Sequence, residues 1–322
     1  MTFMATPVLL DCDPGHDDAL AIILAAANPA IDLLGITTVA GNQTLAKTTL
    51  NARRICTAAG ITTVPIAAGR DRPLHGSLEV GENIHGETGL DGPAFGQPTV
   101  PLQPAGAVEF LRQKMLGHGE PVTLIATGPF TNVAALMLAH PEVTTHIREI
   151  VVMGGSTGRG NSSPYAEFNI WADPEAADIV LNSGLPFTMC GLNVTHQALA
   201  TPDVLDRIAA LGTPLARLCV DLLSFFAASY RQVFGFGAPP LHDPVAVARV
   251  IDPAIVTTVD ASVAVELASP LTRGATVVDL HRVTDRPPNA QVAVTLDTTR
   301  FWDLIVAAIA AIAALGQPPP PP

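Results

Sequence analysis

The sequence predicts an open, mostly parallel α/β sheet, doubly wound and Rossmann-like, flanked by helices and carrying a C-terminal antiparallel extension. Three observations predict it. Through the first two thirds of the 322 residues, short apolar runs alternate with helical patterns, as expected for strands covered on both faces. Gly60, Gly117 and Gly184 each follow a helical pattern, where each can serve as a C-terminal cap. After residue 200 the strand-like runs alternate apolar and polar residues, which suits antiparallel pairing with one wetter face.

Taken in order, strands are expected near residues 8–10, 33–39, 65–67, 122–126, 150–153 and 187–190. Helices are expected near 18–27, 44–59, 107–116, 132–139 and 174–182. Two helices follow near 203–210 and 214–228, then a Gly/Pro-rich loop over 235–240. His242-Asp243-Pro244 opens another helix, with Pro at a position where a missing N–H costs nothing. Strands return at 257–267, 276–280 and 291–296, and the Ala-rich stretch 304–315 reads as a helix packed on the core. Loops 69–105 and 155–169 are long and rich in Gly, Pro and polar residues, so both could close over a ligand. Residues 1–317 are read as one domain. Residues 318–322, all proline, form a tail unable to pair or coil.

Composition excludes several partners. With 17 Lys and Arg against 29 Asp and Glu, a net charge of −12 and no basic block, the chain lacks the footprint of a nucleic-acid or acidic-membrane binder. The apolar stretch near the C-terminus is too short to span a bilayer. Without a signal-peptide pattern at the start, the protein is expected in the cytoplasm. Cys12, Cys56, Cys190 and Cys219 are widely spaced with no CxxC motif, so reduced, buried thiols are expected rather than a zinc site or disulfides.

The chemistry is concentrated in Asp11-Cys12-Asp13-Pro14-Gly15-His16-Asp17-Asp18, four acids in eight residues between a strand and a helix. One or two of them could cap the helix and favour its positive end, which leaves Asp11 and Asp13 unexplained. Buried charges need partners, and a hard divalent cation held by carboxylate oxygens is the natural one. Asp11-x-Asp13 also has the shape used by magnesium-dependent aspartyl phosphatases. Such an enzyme needs groups that accept phosphoryl charge, and two further acids would repel phosphate instead. A non-catalytic ribose- or nucleoside-binding protein is the other alternative.

Residues 11–19, DCDPGHDDA, resemble the signature of the calcium-dependent inosine–uridine-preferring nucleoside hydrolases. Further segments match in order: Val39-Ala40-Gly41-Asn42, Ile84-His85-Gly86, Gly89-Leu90-Asp91-Gly92, Ala126-Thr127-Gly128-Pro129, Thr131-Asn132, Met153-Gly154-Gly155, Glu167-Phe168-Asn169, Asp173-Pro174-Glu175-Ala176-Ala177 and His242-Asp243-Pro244. The resemblance covers nearly the whole chain. It implies hydrolysis of the N-glycosidic bond of ribonucleosides to free base and ribose, with Ca²⁺ held by Asp13, Asp18, Asp243 and the carbonyl of Thr127. It also implies a calcium-activated water with Asp13 as base, and His242 as proton donor to the leaving base.

By the same resemblance Asp17, Asn42, Asn161, Glu167 and Asn169 grip the ribose, and His85 lies near the base. Ribose is expected to be preferred over deoxyribose, since a site built for vicinal hydroxyls penalises their loss. Phe168 and Tyr230 offer flat faces for a nucleobase, with core packing an equal reading for Phe168. His16 occupies the variable position of the signature and is read as structural. Arg70, Arg72, Arg159 and Arg231 are read as solvated loop residues, and Trp171 and Trp302 as core. Broad purine and pyrimidine activity is expected, in a homo-oligomer, a tetramer or dimer.

Overall fold

The computed structural model describes residues 5–315, so the proline tail at 318–322 lies outside the described residues. The strands are β1 (Thr6–Cys12), β2 (Ile31–Thr38), β3 (Ile66–Ala68), β4 (Val122–Ala126), β5 (Ile147–Met153), β6 (Phe187–Cys190), β7 (Val256–Val265), β8 (Thr276–Asp279) and β9 (Ala290–Leu296). They form one sheet of order β3-β2-β1-β4-β5-β6-β9-β7-β8. Pairing is parallel from β3 through β9; β7 pairs antiparallel with both β9 and β8. The mixed sheet with its antiparallel C-terminal strands is the predicted architecture.

Helices cover both faces: α1 (His16–Ala27), α2 (Leu45–Ala58), α3 (Glu82–His85), α4 (Ala107–Gly117), α5 (Thr131–Ala139), α6 (Phe168–Ala172), α7 (Pro174–Leu181), α8 (Leu192–Thr195), α9 (Pro202–Ala209), α10 (Pro214–Phe234), α11 (Asp243–Ile251) and α12 (Thr298–Leu315). β1 shows why the strands read as continuous apolar runs. Val8, Leu10 and Cys12 pack into the core under α1, α11 and α12, while Leu9 packs into the opposite core with α4, α5 and α7. Both faces are dry, so no position demands a polar residue.

Several boundaries differ from expectation for identifiable reasons. α10 continues past residue 228 to Phe234 and stops at Gly235, whose φ of 72° provides the left-handed cap. Tyr230 and Arg231 therefore sit on a helix rather than in a loop. Gly117 is the last residue of α4 rather than its left-handed cap; the chain leaves through an extended His118. Gly60 and Gly184 do adopt positive φ. The loop over 69–105 contains the short helix α3, β7 stops at Val265, and α12 begins at Thr298, ahead of the Ala-rich stretch. All four cysteines are free and buried. Trp302 is core, but Trp171 is only half-buried and lines a cavity. No helix among the described residues is long and apolar enough to cross a membrane.

The chain enters the sheet at β1, builds outward to β2 and β3, then returns to place β4 on the other side of β1. Adjacent connections thus run to opposite sides beyond the ends of β1 and β4. That reversal opens a crevice at the carboxyl edge of the sheet, where ligands bind in folds of this kind.

Candidate active site

At that edge, Asp11 and Asp13 leave β1, Thr127 follows β4, Asn42 follows β2, and α1 and α11 begin with Asp17, Asp18 and Asp243 in their first turns. Acids at helix N-termini meet unpaired N–H groups and the positive end of the dipole. Asp18 uses this fully: Oδ2 accepts from the Gly15 N–H at 2.9 Å and from Asn42 Nδ2 at 3.2 Å, and Oδ1 accepts from the Thr127 hydroxyl at 2.8 Å. Asp13 Oδ2 accepts from the Asn42 N–H at 2.7 Å. Its Oδ1, like Oδ1 of Asp17, is buried with no hydrogen-bond partner.

The electrostatics are those of an incomplete charge set. Burial, then the charge of Asp18, pushes Asp17 up to about 8 and Asp13 well above the usual carboxylate range. Asp243 is raised in the same way by burial and by Asp17 and Asp18, and Asp18 is raised by burial. Among the described residues, no ion pair reaches these acids. Carboxylate oxygens of Asp17, Asp18 and Asp243 come within 4.8 Å of one another. Convergent buried oxygens, two of them orphaned nearby, with no positive side chain to balance them, fit a hard metal cation.

Asp13, which the sequence places among the ligands, is not one of this trio and does not line the cavity above it, though it is close enough for the charges of Asp18 and Asp17 to act on it. The Thr127 carbonyl accepts from Asn169 Nδ2 at 2.7 Å. Asp11 does something else. Its Oδ1 accepts from the Thr37 hydroxyl and from Asn132 Nδ2 at 2.8 Å, and Asn132 Nδ2 also reaches the Thr38 carbonyl at 3.0 Å. The fully buried Asp11, raised to about 7 by burial, ties β1 to β2 and α5. Sequence reasoning misses Thr37 and Asn132 as its partners, because the acid cluster alone carries no sign of which acid faces inward.

Over the carboxylates lies a cavity of about 250 Å³. Asp17, Asn42, His85, Asn161, Glu167, Phe168, Asn169, Tyr230, His242 and Asp243 all line it, together with Thr127. Segments far apart in the sequence therefore meet in one place. Glu167 caps α6: Oε1 accepts from the Asn169 N–H at 3.0 Å, and Oε2 from Gly155 and Ile170 at 2.9 and 3.2 Å. Burial nonetheless pushes it up to about 7. Asn169 Nδ2 donates to the Thr127 and Met153 carbonyls, which pins the amide between β4 and β5. Asn161 Oδ1 accepts from the Phe168 N–H at 2.9 Å and so braces the loop that carries it.

His242 has both ring nitrogens engaged, Nδ1 with the Thr195 hydroxyl at 2.7 Å and Nε2 with the Tyr230 hydroxyl at 2.6 Å. Burial lowers its pKa well below the ordinary value and raises that of Tyr230. Phe168 is half-buried at the wall beside Trp171, the ring centroids 6.3 Å apart. Glu79, Asn83, Phe226, Phe234 and Trp171 also line it. The loop over 69–105 brings in Glu79 and Asn83 and the extension of α10 brings in Phe234, and neither conformation is written in local pattern; Trp171 comes from α6 and Phe226 from the part of α10 the sequence predicts, where both read as core.

Residues 8–303 match the family described as inosine-uridine preferring nucleoside hydrolase. The chain belongs to the inosine-uridine preferring nucleoside hydrolase family. It is 48% identical over 308 residues to a pyrimidine-specific ribonucleoside hydrolase RihA of Shewanella sp. (strain ANA-3), covering 95% of this chain and 97% of the relative. Identity is 47% over 303 residues with the RihA of Escherichia coli O81 (strain ED1a), covering 94% and 97%. Among solved structures, a purine-preferring ribonucleoside hydrolase from Gardnerella vaginalis superposes with a TM-score of 0.90 at 34% identity, covering 97% of this chain and 100% of that one.

As a nucleoside hydrolase, the protein is an N-glycosidase that cleaves ribonucleosides to free base and ribose. Neither the aspartyl phosphatase nor the non-catalytic binder is favoured. The buried, doubly hydrogen-bonded Asp11 is also no phosphoryl nucleophile.

Proposed function

We propose that this nucleoside hydrolase prefers pyrimidine ribonucleosides, uses Ca²⁺, and takes the proton from the attacking water on Asp13. The carrying observation is the convergence of Asp17, Asp18 and Asp243, two of which line a cavity sized for a small ligand, with the buried Asp13, its Oδ1 unpartnered, near enough to feel the charges of Asp18 and Asp17. The pyrimidine preference is supported by relatives 47–48% identical that are named pyrimidine-specific. Asp18, Asp243, Asp13 and the Thr127 carbonyl, with Asp17 close by, would hold the ion. All are oxygen donors, as calcium requires. A bound ion there would acidify a water and grip vicinal hydroxyls.

The chain's own residues do the rest. Asp13 Oδ1 is positioned by the Asn42 N–H on its sister oxygen, free to accept a proton. Asp17, Asn42, Asn161, Glu167 and Asn169 hold the ribose, and the carboxylates of Asp17 and Glu167 favour the oxocarbenium-like state of glycosidic cleavage. With Nε2 of His242 bound to the Tyr230 hydroxyl, the pair acts as one unit: a protonated His242 passes one proton through that hydroxyl to the leaving base and ends as the neutral ring that burial favours. The walls formed by Phe168 and His85 receive the base.

Asp13→Asn keeps size and hydrogen bonding but cannot accept the proton. Turnover of uridine should fall by roughly 10³-fold or more while substrate still binds, as read by steady-state kinetics and calorimetry. Retained turnover would remove Asp13 from the role of base. Chelator should abolish the native activity and Ca²⁺ restore it, with uridine and cytidine turned over ahead of inosine.

The free cysteines fit a reducing compartment, and the enzyme is read as cytoplasmic. Residues 1–317 are read as one catalytic unit that assembles as a homo-oligomer, a tetramer in preference to a dimer, consistent with exposed Leu138, Leu271 and Val277. Light scattering at micromolar concentration should give a multiple of the 33.4 kDa chain mass; a monomer would refute the assembly.

A further inference from the structure

Asn51 sits on α2, fully buried and outside the lining of the cavity. Its Nδ2 donates twice, to the Pro14 carbonyl at 3.1 Å and to the Thr88 carbonyl at 2.9 Å. Its Oδ1 is buried with no hydrogen-bond partner among the described residues. Turning the amide over would set Oδ1 against both carbonyls, so the network places the nitrogen on this side. An unpaired buried acceptor is destabilising. What this side chain contributes is therefore its two donors.

The first donor acts on the turn between β1 and α1. A trans peptide points its C=O and N–H in opposite directions, so holding the Pro14 carbonyl aims the N–H of Gly15. That N–H donates to Asp18 Oδ2 at 2.9 Å, the acid reaching back from the first turn of α1 to the residue that starts it. Asp18 Oδ2 also accepts from Asn42 Nδ2 at 3.2 Å, and Oδ1 accepts from the Thr127 hydroxyl at 2.8 Å. Both oxygens are thus fixed. Glycine at position 15 would let the Pro14–Gly15 peptide turn over at little steric cost, and Asn51 opposes that turn.

The second donor acts on the turn that follows α3. The N–H groups of Glu87 and Thr88 donate to the Asp91 carboxylate at 2.9 and 3.1 Å, and that of Gly89 donates to the Gly86 carbonyl at 3.2 Å, so residues 86–91 form one closed turn. Gly89 has a φ of 82°, and a Cβ there would lie 2.9 Å from Asn51 Nδ2. The turn has other holds. His16 Nε2 bonds to the Asp91 carbonyl at 2.8 Å, Gln43 Nε2 donates to the Gly86 carbonyl at 3.2 Å, and Lys47 Nζ reaches the Glu87 carbonyl. None of these passes through the peptide that supports Asp18.

We propose that Asn51 is a positioning residue for the metal ligand Asp18, holding the Pro14–Gly15 peptide with its N–H on Asp18 Oδ2, and that the same amide couples the metal site to the 86–91 turn. The inference rests on the metal reading given above. Groups that orient a ligand from behind are worth a large part of a metal's affinity. An ion that fixes Asp18 also favours the arrangement in which the Asn51 amide holds both carbonyls, so metal binding steadies the turn. By linkage, a steadier turn favours metal to the same degree.

Calorimetric titration of Ca²⁺ into the chelator-stripped full chain tests the first part. Asn51→Leu keeps the size of the side chain and removes both donors, so its Kd for Ca²⁺ should rise roughly 10-fold or more. Asn51→Ser, which is too short to reach either carbonyl and sets no hydrocarbon against them, should shift Kd the same way if the leucine variant does not fold. Lys47→Met cuts a hold on the turn that does not run through Pro14, and its Kd should match the native value. A lower melting temperature with unchanged Kd in a folded Asn51 variant would make the residue merely structural and overturn the proposal. Hydrogen exchange tests the coupling. Ca²⁺ should slow exchange of the amides within 86–91 of the native chain, although none of those residues is a proposed ligand, and the slowing should vanish in the Asn51 variants but persist in Lys47→Met. No slowing in the native chain overturns the coupling. A native chain that binds no Ca²⁺ would instead overturn the metal reading and this inference together.

Discussion

At the scale of single residues, the position of Asp13 depends on what its neighbours lack. A Cβ on Gly41 would lie 2.1 Å from Asp13 Oδ2 and 2.7 Å from Pro129 Cδ, and one on Gly128 would lie 2.8 Å from Asp13 Oδ1. Neither glycine has positive φ, so space rather than backbone conformation keeps them glycine. Gly41→Ala must therefore push the carboxylate aside or shift the turn that carries Asn42. Displacements of about 1 Å at a reacting group cost on the order of 10²-fold in rate, while a crowded core methyl costs about 1–3 kcal/mol. The variant should fold, with uridine kcat down at least that far. An unchanged kcat in a folded Gly41→Ala protein would show that the orphaned oxygen of Asp13 does not need its present place. Asp11, two residues before Asp13, is identical in type and equally buried and also leaves one oxygen, Oδ2, unpartnered, but its Oδ1 joins two strands and a helix through Thr37 and Asn132.

At the scale of elements, the proposed route of the proton to the leaving base depends on α10. Its last turns carry Phe226, Tyr230 and Phe234 to the cavity, and the Tyr230 hydroxyl reaches Nε2 of His242 at the start of α11. Tyr230→Phe keeps the ring and its edge contact with Phe226 at 4.7 Å but removes the hydroxyl. Uridine kcat should fall about 10²-fold with KM nearly unchanged; a loss confined to KM would make Tyr230 a binding group only. This helix also marks where the sequence stops being legible. The central strands and the helices between them can be read because each is an apolar run bounded by Gly or Pro, and local pattern suffices for that. The acid cluster, Asn42, the Glu167–Asn169 segment and His242-Asp243 can be found because their residue types have few other uses. The extension of α10 beyond 228 cannot be read, since Ser229 to Phe234 has no strong helical signal and is fixed by packing. For the same reason Trp171 reads as core in the sequence, and nothing marks Glu79 and Asn83 as lining residues until the 69–105 loop folds over the site.

At the scale of the whole molecule, the cluster of acids ties stability to pH and to metal. Burial pushes Asp11 and Glu167 up to about 7 and Asp17 to about 8 in the folded protein, whereas the unfolded chain titrates near the ordinary carboxylate values of about 4. Between those limits the folded state binds more protons than the unfolded one, so stability falls as pH rises. The contribution is complete below about pH 4 and is lost progressively as pH passes through 7 and 8. A tenfold difference in proton affinity between the folded and unfolded states corresponds to about 1.4 kcal/mol. Metal-free protein should therefore melt at least roughly 5 °C lower at pH 8.5 than at pH 5.5. A divalent cation reverses the sign of the problem by making the ionised form the stable one, and it stabilises the folded state by its own binding. Added Ca²⁺ should raise the melting temperature much more at pH 8.5 than at pH 5.5, and Asp243→Asn should blunt that difference. Scanning calorimetry of chelated and calcium-loaded protein at both values decides it: equal calcium shifts at the two pH values would mean that the ion and the buried protons do not compete for the same oxygens, and the carboxylates at the heads of α1 and α11 would need another explanation.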